Sequence, residues 1–174
     1  NLPSWRALGR PDVKIVPVGY APILNHIPKA ARQDIDVLLY GLSGERRLQT
    51  FHGLSQLGLS ALFVSGLYGT ARDELISRAK IVLNINLYAQ MRIFEIVRVS
   101  YLLANRKAVV ADLDPKTSVE DGIRTAVMFA SSLKELLDRC VKLVGDDRER
   151  QALEERGFAY MSGRDIKGIL ERAL

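Results

Sequence analysis

The feature that most constrains this chain is an alternation: short aliphatic, β-branched runs recur between longer segments with helical spacing, the pattern of βαβ units around a parallel sheet. Strands are expected near residues 13–18, 36–40, 61–65, 81–85, 108–111 and 126–130. Val37-Leu38-Leu39 and Val109-Val110-Ala111 do not alternate between apolar and polar. Such runs suit central strands covered by helices on both faces. The expected fold class is therefore α/β, a Rossmann-like parallel sheet with helices on both faces and a C-terminal helical tail. With 174 residues, 48% of them hydrophobic, one domain over 1–174 is expected, residues 1–28 forming a linker and first strand.

Helix starts are legible because Ser, Thr or Asp ahead of a periodic run accepts hydrogen bonds from first-turn amides. Ser43 precedes a helix expected over 44–57, and Thr70 one over 71–79. Ser132 with Glu135 reads as a capping box for 133–144, after which Gly145 stops the helix and Asp146 caps the next. The tail reads as two helices broken near Ser162-Gly163, packed against the sheet. Residues 11–28, rich in Pro and Gly, read as a strand followed by a rigid connecting loop.

Several function classes are disfavoured by composition. The most apolar stretches are far shorter than the roughly 20 residues a spanning helix needs, so no transmembrane segment is expected, and the first residues do not read as a secretion signal. A lone cysteine, Cys140, leaves neither a disulfide framework nor a thiolate metal cluster within the chain, which fits the cytoplasm. The net charge of +5 would attract nucleic acid, acidic headgroups or a phosphorylated ligand. Lys and Arg are interspersed with Asp and Glu, without a dense basic run or interleaved aromatics, and no nucleic-acid partner is expected.

In an open parallel sheet ligands bind beyond the carboxyl ends of the strands, among loops and helix amino ends. The segments that fall there are Gly41-Leu42-Ser43-Gly44-Glu45-Arg46-Arg47, Gly66-Leu67-Tyr68-Gly69-Thr70, Asn84-Ile85-Asn86-Leu87-Tyr88 and Asp112-Leu113-Asp114-Pro115. Glycines in such turns allow close backbone approach, and Arg46 and Arg47 are placed for bidentate phosphate contacts; equally, the glycines make a tight turn and the arginines are solvated. A helix expected over 91–106 carries Arg92, Glu95, Arg98 and Asn105 along one stripe. That stripe suits a ligand, phosphate on Arg92 and hydroxyls on Glu95, or a set of intrahelical ion pairs. Asp112-Leu113-Asp114 matches an Asp-x-Asp metal motif only superficially, because it runs into a Pro without further ligands. His26 and His52 are lone histidines, and no metal or cofactor is expected.

The segments Val16-Pro17-Val18-Gly19-Tyr20-Ala21-Pro22, Asp34-Ile35-Asp36-Val37-Leu38-Leu39-Tyr40-Gly41, Ala79-Lys80-Ile81-Val82-Leu83-Asn84, Phe94-Glu95-Ile96-Val97-Arg98 and Asn105-Arg106-Lys107-Ala108-Val109-Val110, in that order, resemble bacterial glycosyltransferases of the GT-B type, built from two facing Rossmann-like domains. The resemblance is to the C-terminal domain, close over 11–112 and general in style beyond residue 143. It implies that the chain binds a nucleotide-sugar donor, which is a substrate and not a cofactor, and that an N-terminal Rossmann-like domain, of this or another chain, supplies the acceptor contacts. Carried over, Gly41 and Arg46 line the diphosphate, Tyr68 and Gly69 lie near the base, Glu95 holds donor hydroxyls, and Arg98 orients Glu95 or reaches phosphate. Ser43, Arg47, Asn84, Asn86 and Arg92 complete the expected nucleotide-sugar site. The sequence departs from the family at Asn86, where the pattern has a His. The catalytic residues are not identified, and the chain on its own is expected not to turn over. The competing reading is a non-catalytic nucleotide-binding or protein-interaction module on the same fold; a receiver-type signalling domain would need acidic residues where Gly41, Gly69 and Asn84 stand.

Overall fold

The computed structural model describes residues 2–88 and 93–173. Five parallel strands form one sheet: β1 (Ile35–Tyr40), β2 (Ala61–Val64), β3 (Ala79–Asn84), β4 (Ala108–Asp112) and β5 (Met128–Ala130), in the order β2-β1-β3-β4-β5. In register, Leu38 pairs with Leu62 and Val82, and Val82 with Val109. The strands are aliphatic on both faces because both faces are covered. On one side Leu38, Val82 and Val109 pack with residues of α3 (Gly69–Arg78), α4 (Ile96–Ala104), α5 (Asp121–Ala126) and α7 (Asp147–Ser162). On the other, Val37, Ile81, Leu83 and Val110 pack with α2 (Glu45–Gln56) and α6 (Leu133–Gly145). Each of these fully buried aliphatic side chains contributes about 1.5–3 kcal/mol of transfer free energy.

The chain order reverses between β1 and β3: β1 leads outward to β2, and the chain then crosses back to β3. The loops after β1 and β3 consequently diverge to opposite faces, leaving a crevice at their carboxyl ends.

The helix-end readings of the tail hold. Ser132 Oγ accepts from the Glu135 amide at 3.2 Å, although Glu135 returns its carboxylate to Ser131 at 2.7 Å. Asp146 Oδ1 accepts from the Glu149 amide at 2.8 Å, and α8 (Ile166–Ala173) follows the break after Ser162. Three other expectations are corrected. The caps of α2 and α3 are Gly44 and Tyr68, neither with a side-chain bond, not Ser43 and Thr70. Residues 121–126 are helical, so the last strand begins only at Met128.

The third correction is residues 13–18, which are not a strand. They belong to a strap whose one ladder contact is an isolated bridge between Tyr20 and Asp165 beside α8, preceding a short 3₁₀ turn, Pro22–Leu24. Ile15 and Val16 are mostly exposed, so their β-branching serves no sheet, and Pro17 offers no amide to a ladder. Gly19 lets the strap touch α8: a Cβ there would lie 2.7 Å from the Ile166 Cα.

Candidate functional site

Two cavities open at the carboxyl edge, one on each side of the switch point. The larger, about 780 Å3, lies on the α3/α4 face and is lined by Tyr40, Gly41, Gly66, Tyr68, Arg72, Glu95, Arg98 and Tyr101, among others. The smaller, about 360 Å3, lies on the α2/α6 face and is lined by Arg46, Gln49, Asn86, Asp112, Asp114 and Ser131, among others. Consecutive residues of a helix point about 100° apart, and Arg46 and Arg47 separate accordingly at the start of α2.

Arg47 is buried behind the larger cavity. Its Nε and Nη2 donate to Ile85 O at 3.0 and 2.7 Å, its Nη1 to Leu42 O at 2.9 Å, and its Nη2 reaches Glu95 Oε1 at 3.3 Å. Burial, and then the neighbouring Arg98, lower its pKa, but a guanidinium stays protonated in a protein. Glu95 caps α4 without a side-chain bond to the helix amides. Its carboxylate instead joins two cations, Arg47 on Oε1 and Arg98 Nε on Oε2 at 3.0 Å.

Gly41 makes this cluster feasible. Its φ of +122° belongs to glycine, and a Cβ there would stand 2.9 Å from Arg47 Nη1 and 3.2 Å from Arg98 Nη2. The absent side chain is the space in which the two guanidinium groups approach.

The opposite wall of the larger cavity is aromatic and cationic. The guanidinium carbon of Arg98 lies 4.9 Å from the Tyr40 ring centre; that of Arg72 lies 6.0 Å from the same ring and 4.9 Å from Tyr101. Arg72 donates twice to Asp73 Oδ1, at 3.0 and 2.8 Å. Burial raises the Asp73 carboxyl, but hydrogen bonds from Arg72, Tyr101 and His26 outweigh it and hold the pKa below the usual range. The Tyr101 hydroxyl, 3.1 Å from His26 Nε2, is pushed up to about 12 by burial and by the Asp73 carboxylate.

In the smaller cavity Arg46 Nη2 meets Asp112 Oδ2 at 2.6 Å, while Asp112 Oδ1 accepts from the Asn86 amide at 3.0 Å. Burial raises the Asp112 pKa against both partners.

Of the residues expected from sequence, Gly41, Tyr68, Glu95 and Arg98 converge on one cavity, and Arg46 and Asn86 on the other. Arg47 stands behind the first with its donors taken by protein. Ser43 is exposed and lines neither cavity, Gly69 is an exposed first residue of α3, and Asn84, the last residue of β3, is buried without lining either. Arg92 lies outside the described residues. The expected helix over 91–106 is corrected to Ile96–Ala104: Phe94 is used before the helix, packing its ring 5.4 Å from Phe129. Asn105, at the far end of α4, is a structural clamp, accepting from His26 and Ile27 amides at 2.9 and 2.8 Å and donating to Leu24 O and Tyr101 O at 2.8 Å each. The sequence reading missed Arg72 and Tyr101. Among the described residues no cluster of three or more His, Cys, Asp or Glu is arranged to hold a metal ion, and no helix is long and apolar enough to cross a membrane.

No protein-family model matches the sequence, and none of the curated proteins does. Solved structures do match in shape. TarM superposes with a TM-score of 0.63 at 11% identity, over 97% of this chain and 40% of TarM. The C-terminal domain of LpcC, a glycosyl transferase group 1 family protein from Francisella tularensis, matches with 0.56 at 12% identity, over 83% of this chain and 97% of that domain. The fold is that of a GT-B glycosyltransferase C-terminal domain. A third match, the DNA-modifying β-glucosyltransferase solved with and without its substrate uridine diphosphoglucose, has a TM-score of 0.55 at 16% identity, over 84% of this chain and 50% of the enzyme. The chain thus spans about two-fifths of TarM and half of the β-glucosyltransferase, while covering the isolated LpcC domain almost end to end.

Proposed function

We propose that this domain binds the nucleotide-sugar donor of a glycosyltransferase in the larger cavity, with an N-terminal Rossmann-like domain completing the active site and supplying the acceptor contacts. One observation carries the reading: at the β1/β3 switch point two guanidinium groups, Arg47 and Arg98, are set against one shared carboxylate, Glu95, at an open cavity with an exposed Tyr68 at its rim. A cationic surplus that cannot titrate away calls for an anion, and a diphosphate next to an aromatic surface answers both features. That the β-glucosyltransferase takes uridine diphosphoglucose is consistent with it.

In the chemistry this implies, Arg98 and the glycine-lined turn at Gly41 meet the diphosphate and stabilise the charge that develops as the glycosyl bond breaks. Glu95, already placed by two arginines, accepts from donor hydroxyls. No metal is needed for that stabilisation, and the cytoplasm, where nucleotide sugars are at hand, is the fitting compartment. The second reading, a binding module without turnover, draws on Asn86 standing where the family pattern has a His; it predicts the same ligand and no transfer when the partner domain is supplied.

The test is thermal denaturation with uridine, guanosine, thymidine and adenosine diphosphates and their sugars. A ligand at a hundredfold its Kd adds about 2.7 kcal/mol, several degrees in Tm for a domain of this size. Arg98→Gln should abolish most of the shift. No shift with any diphosphate, or an undiminished one in Arg98→Gln, rejects the site.

A further inference from the structure

The outer side of β5 is left unused by the donor site. β5 pairs with β4, and among the described residues no strand lies beyond it. The Ala130 carbonyl accepts from the Leu113 amide at 3.0 Å, on the β4 side. Backbone groups of successive strand residues turn to opposite sides, so Phe129 directs its N–H and C=O outward. An unpaired strand edge of this kind is a template for another chain.

Three arginines frame that edge, each from a different helix: Arg124 of α5, Arg139 of α6 and Arg156 of α7. α5 packs on one face of the sheet and α6 on the other, yet all three arginines line one cavity of about 380 Å3 together with Val127, Met128 and Phe129. A cavity reached from both faces lies at the edge of the strand. No carboxylate lines it. Arg139 is held by Glu135, through Nε and Nη2 at 3.2 and 2.6 Å. Arg156 makes a single bond, from Nε to Thr125 O at 3.4 Å, and exposed Arg124 has no hydrogen-bond or ion-pair partner among the described residues. The fold therefore leaves two of the three guanidinium charges without a carboxylate.

We propose that this edge takes an acidic, extended segment of a partner protein as an added strand. Phe129 supplies the ladder bonds, and Arg124 and Arg156 pair with carboxylates of the segment. An apolar side chain between those carboxylates enters the cavity against Met128. Side chains of a strand alternate between faces, and the arginines stand on both, so an acidic residue on either side of the added backbone meets a guanidinium. Charges on an edge ward off strands of like charge; a cluster of one sign admits an acidic one. A second copy of this chain is disfavoured by the same rule, since pairing β5 with β5 would set one arginine cluster against another. This cavity shares no lining residue with the donor cavity, and neither reading depends on the other.

The experiment uses a labelled heptapeptide of alternating Glu and Val, its counterpart with Lys in place of Glu, and the Glu peptide N-methylated at its central residues. Fluorescence anisotropy reads affinity, and amide hydrogen exchange reads the edge. The Glu peptide should bind and at saturation slow exchange of the Phe129 N–H at least about tenfold, while the Lys peptide should not bind. N-methylation, which removes ladder donors, should weaken binding about tenfold, and Arg124→Glu combined with Arg156→Glu at least as much. Arg124→Glu alone, at a side chain without a partner in the fold, should weaken binding severalfold and leave any thermal shift with nucleoside diphosphates unchanged. No binding of the Glu peptide up to about 1 mM, or equal binding of the Lys peptide, overturns the proposal. Binding that ignores N-methylation or leaves Phe129 unprotected shows a plain anion-attracting surface and overturns it as well.

Discussion

The two edges of the sheet pose the same electrostatic problem and resolve it differently. At the carboxyl edge Arg47 and Arg98 share Glu95. At the amino edge the ammonium groups of Lys29 and Lys107 both act on buried Glu154, Lys29 from 2.9 Å. A lysine relieves such a surplus by giving up its proton: burial brings Lys107 down to about 8, against the pull of Glu154. Arginine has no such exit within the physiological range. The amino edge can thus become neutral alone, whereas the carboxyl edge holds its surplus until an outside anion arrives. This difference, more than cavity size, is what favours the proposed donor site at the carboxyl edge.

The sharpest way to break the comparison is to remove the shared carboxylate. Glu95→Ala leaves Arg47 buried and unpaired, and a broken buried pair costs about 3 kcal/mol, reduced somewhat here because Glu95 is partly exposed. Urea unfolding should show that loss, and pyrophosphate in the buffer should return part of it. A loss no larger than that of a surface ion pair, or one indifferent to pyrophosphate, would mean the carboxyl edge is not charge-starved.

The counterpart at the amino edge is read through pH. Folded Lys107 releases its proton near pH 8 and the unfolded lysine near 10.5. Between those values the unfolded chain binds more protons, so stability rises with pH, and below about 8 the cost of the buried ammonium is present in full. The rise should be about 3 kcal/mol. Comparing wild type with Lys107→Met by denaturant unfolding between pH 7.5 and 10.5 isolates it, since the variant should lack that increment. Parallel curves would show that Lys107 keeps its charge throughout.

The fold was legible because β1, β3 and β4 carry aliphatic residues at successive positions, which only a sheet covered on both sides requires. Residues 13–18 misled because Ile15 and Val16 carry the same β-branched signal without a partner strand. The site was legible in part. Gly41, Tyr68, Glu95 and Arg98 sit in segments bound to meet at strand ends, so topology alone gathers them. Adjacent Arg46 and Arg47 could not be told apart, because a one-residue step around a helix decides which cavity each enters, and the phase of α2 is set by how Leu54 packs into the core. Arg72 went unread because Thr70-Ala71-Arg72-Asp73 looks like a solvated helix start; it becomes a cavity wall only once α3 and α4 share a face. An Arg-Asp pair in the first turn after a strand end was the available signal.

The smallest effect tests whether the amino edge is purely structural. Arg106, just after α4, has φ 51°, and no other described non-glycine residue has a positive φ. Left-handed backbone at such a residue costs about 1 kcal/mol, yet its guanidinium carbon sits 3.4 Å from the Phe158 ring centre and its Nε 3.4 Å from Glu155. Stacking of this kind contributes about 0.5–1 kcal/mol at a partly exposed site. Arg106→Gly removes the strain and the stack together, so the two should nearly cancel, leaving Tm within about 2 °C of wild type and nucleotide affinity unchanged. A Tm shift well beyond that would show that one of the two terms dominates. A change in nucleotide affinity would be more serious, because it would mean that the edges communicate through α4, whose far end carries Glu95, and the division of labour between them would have to be given up.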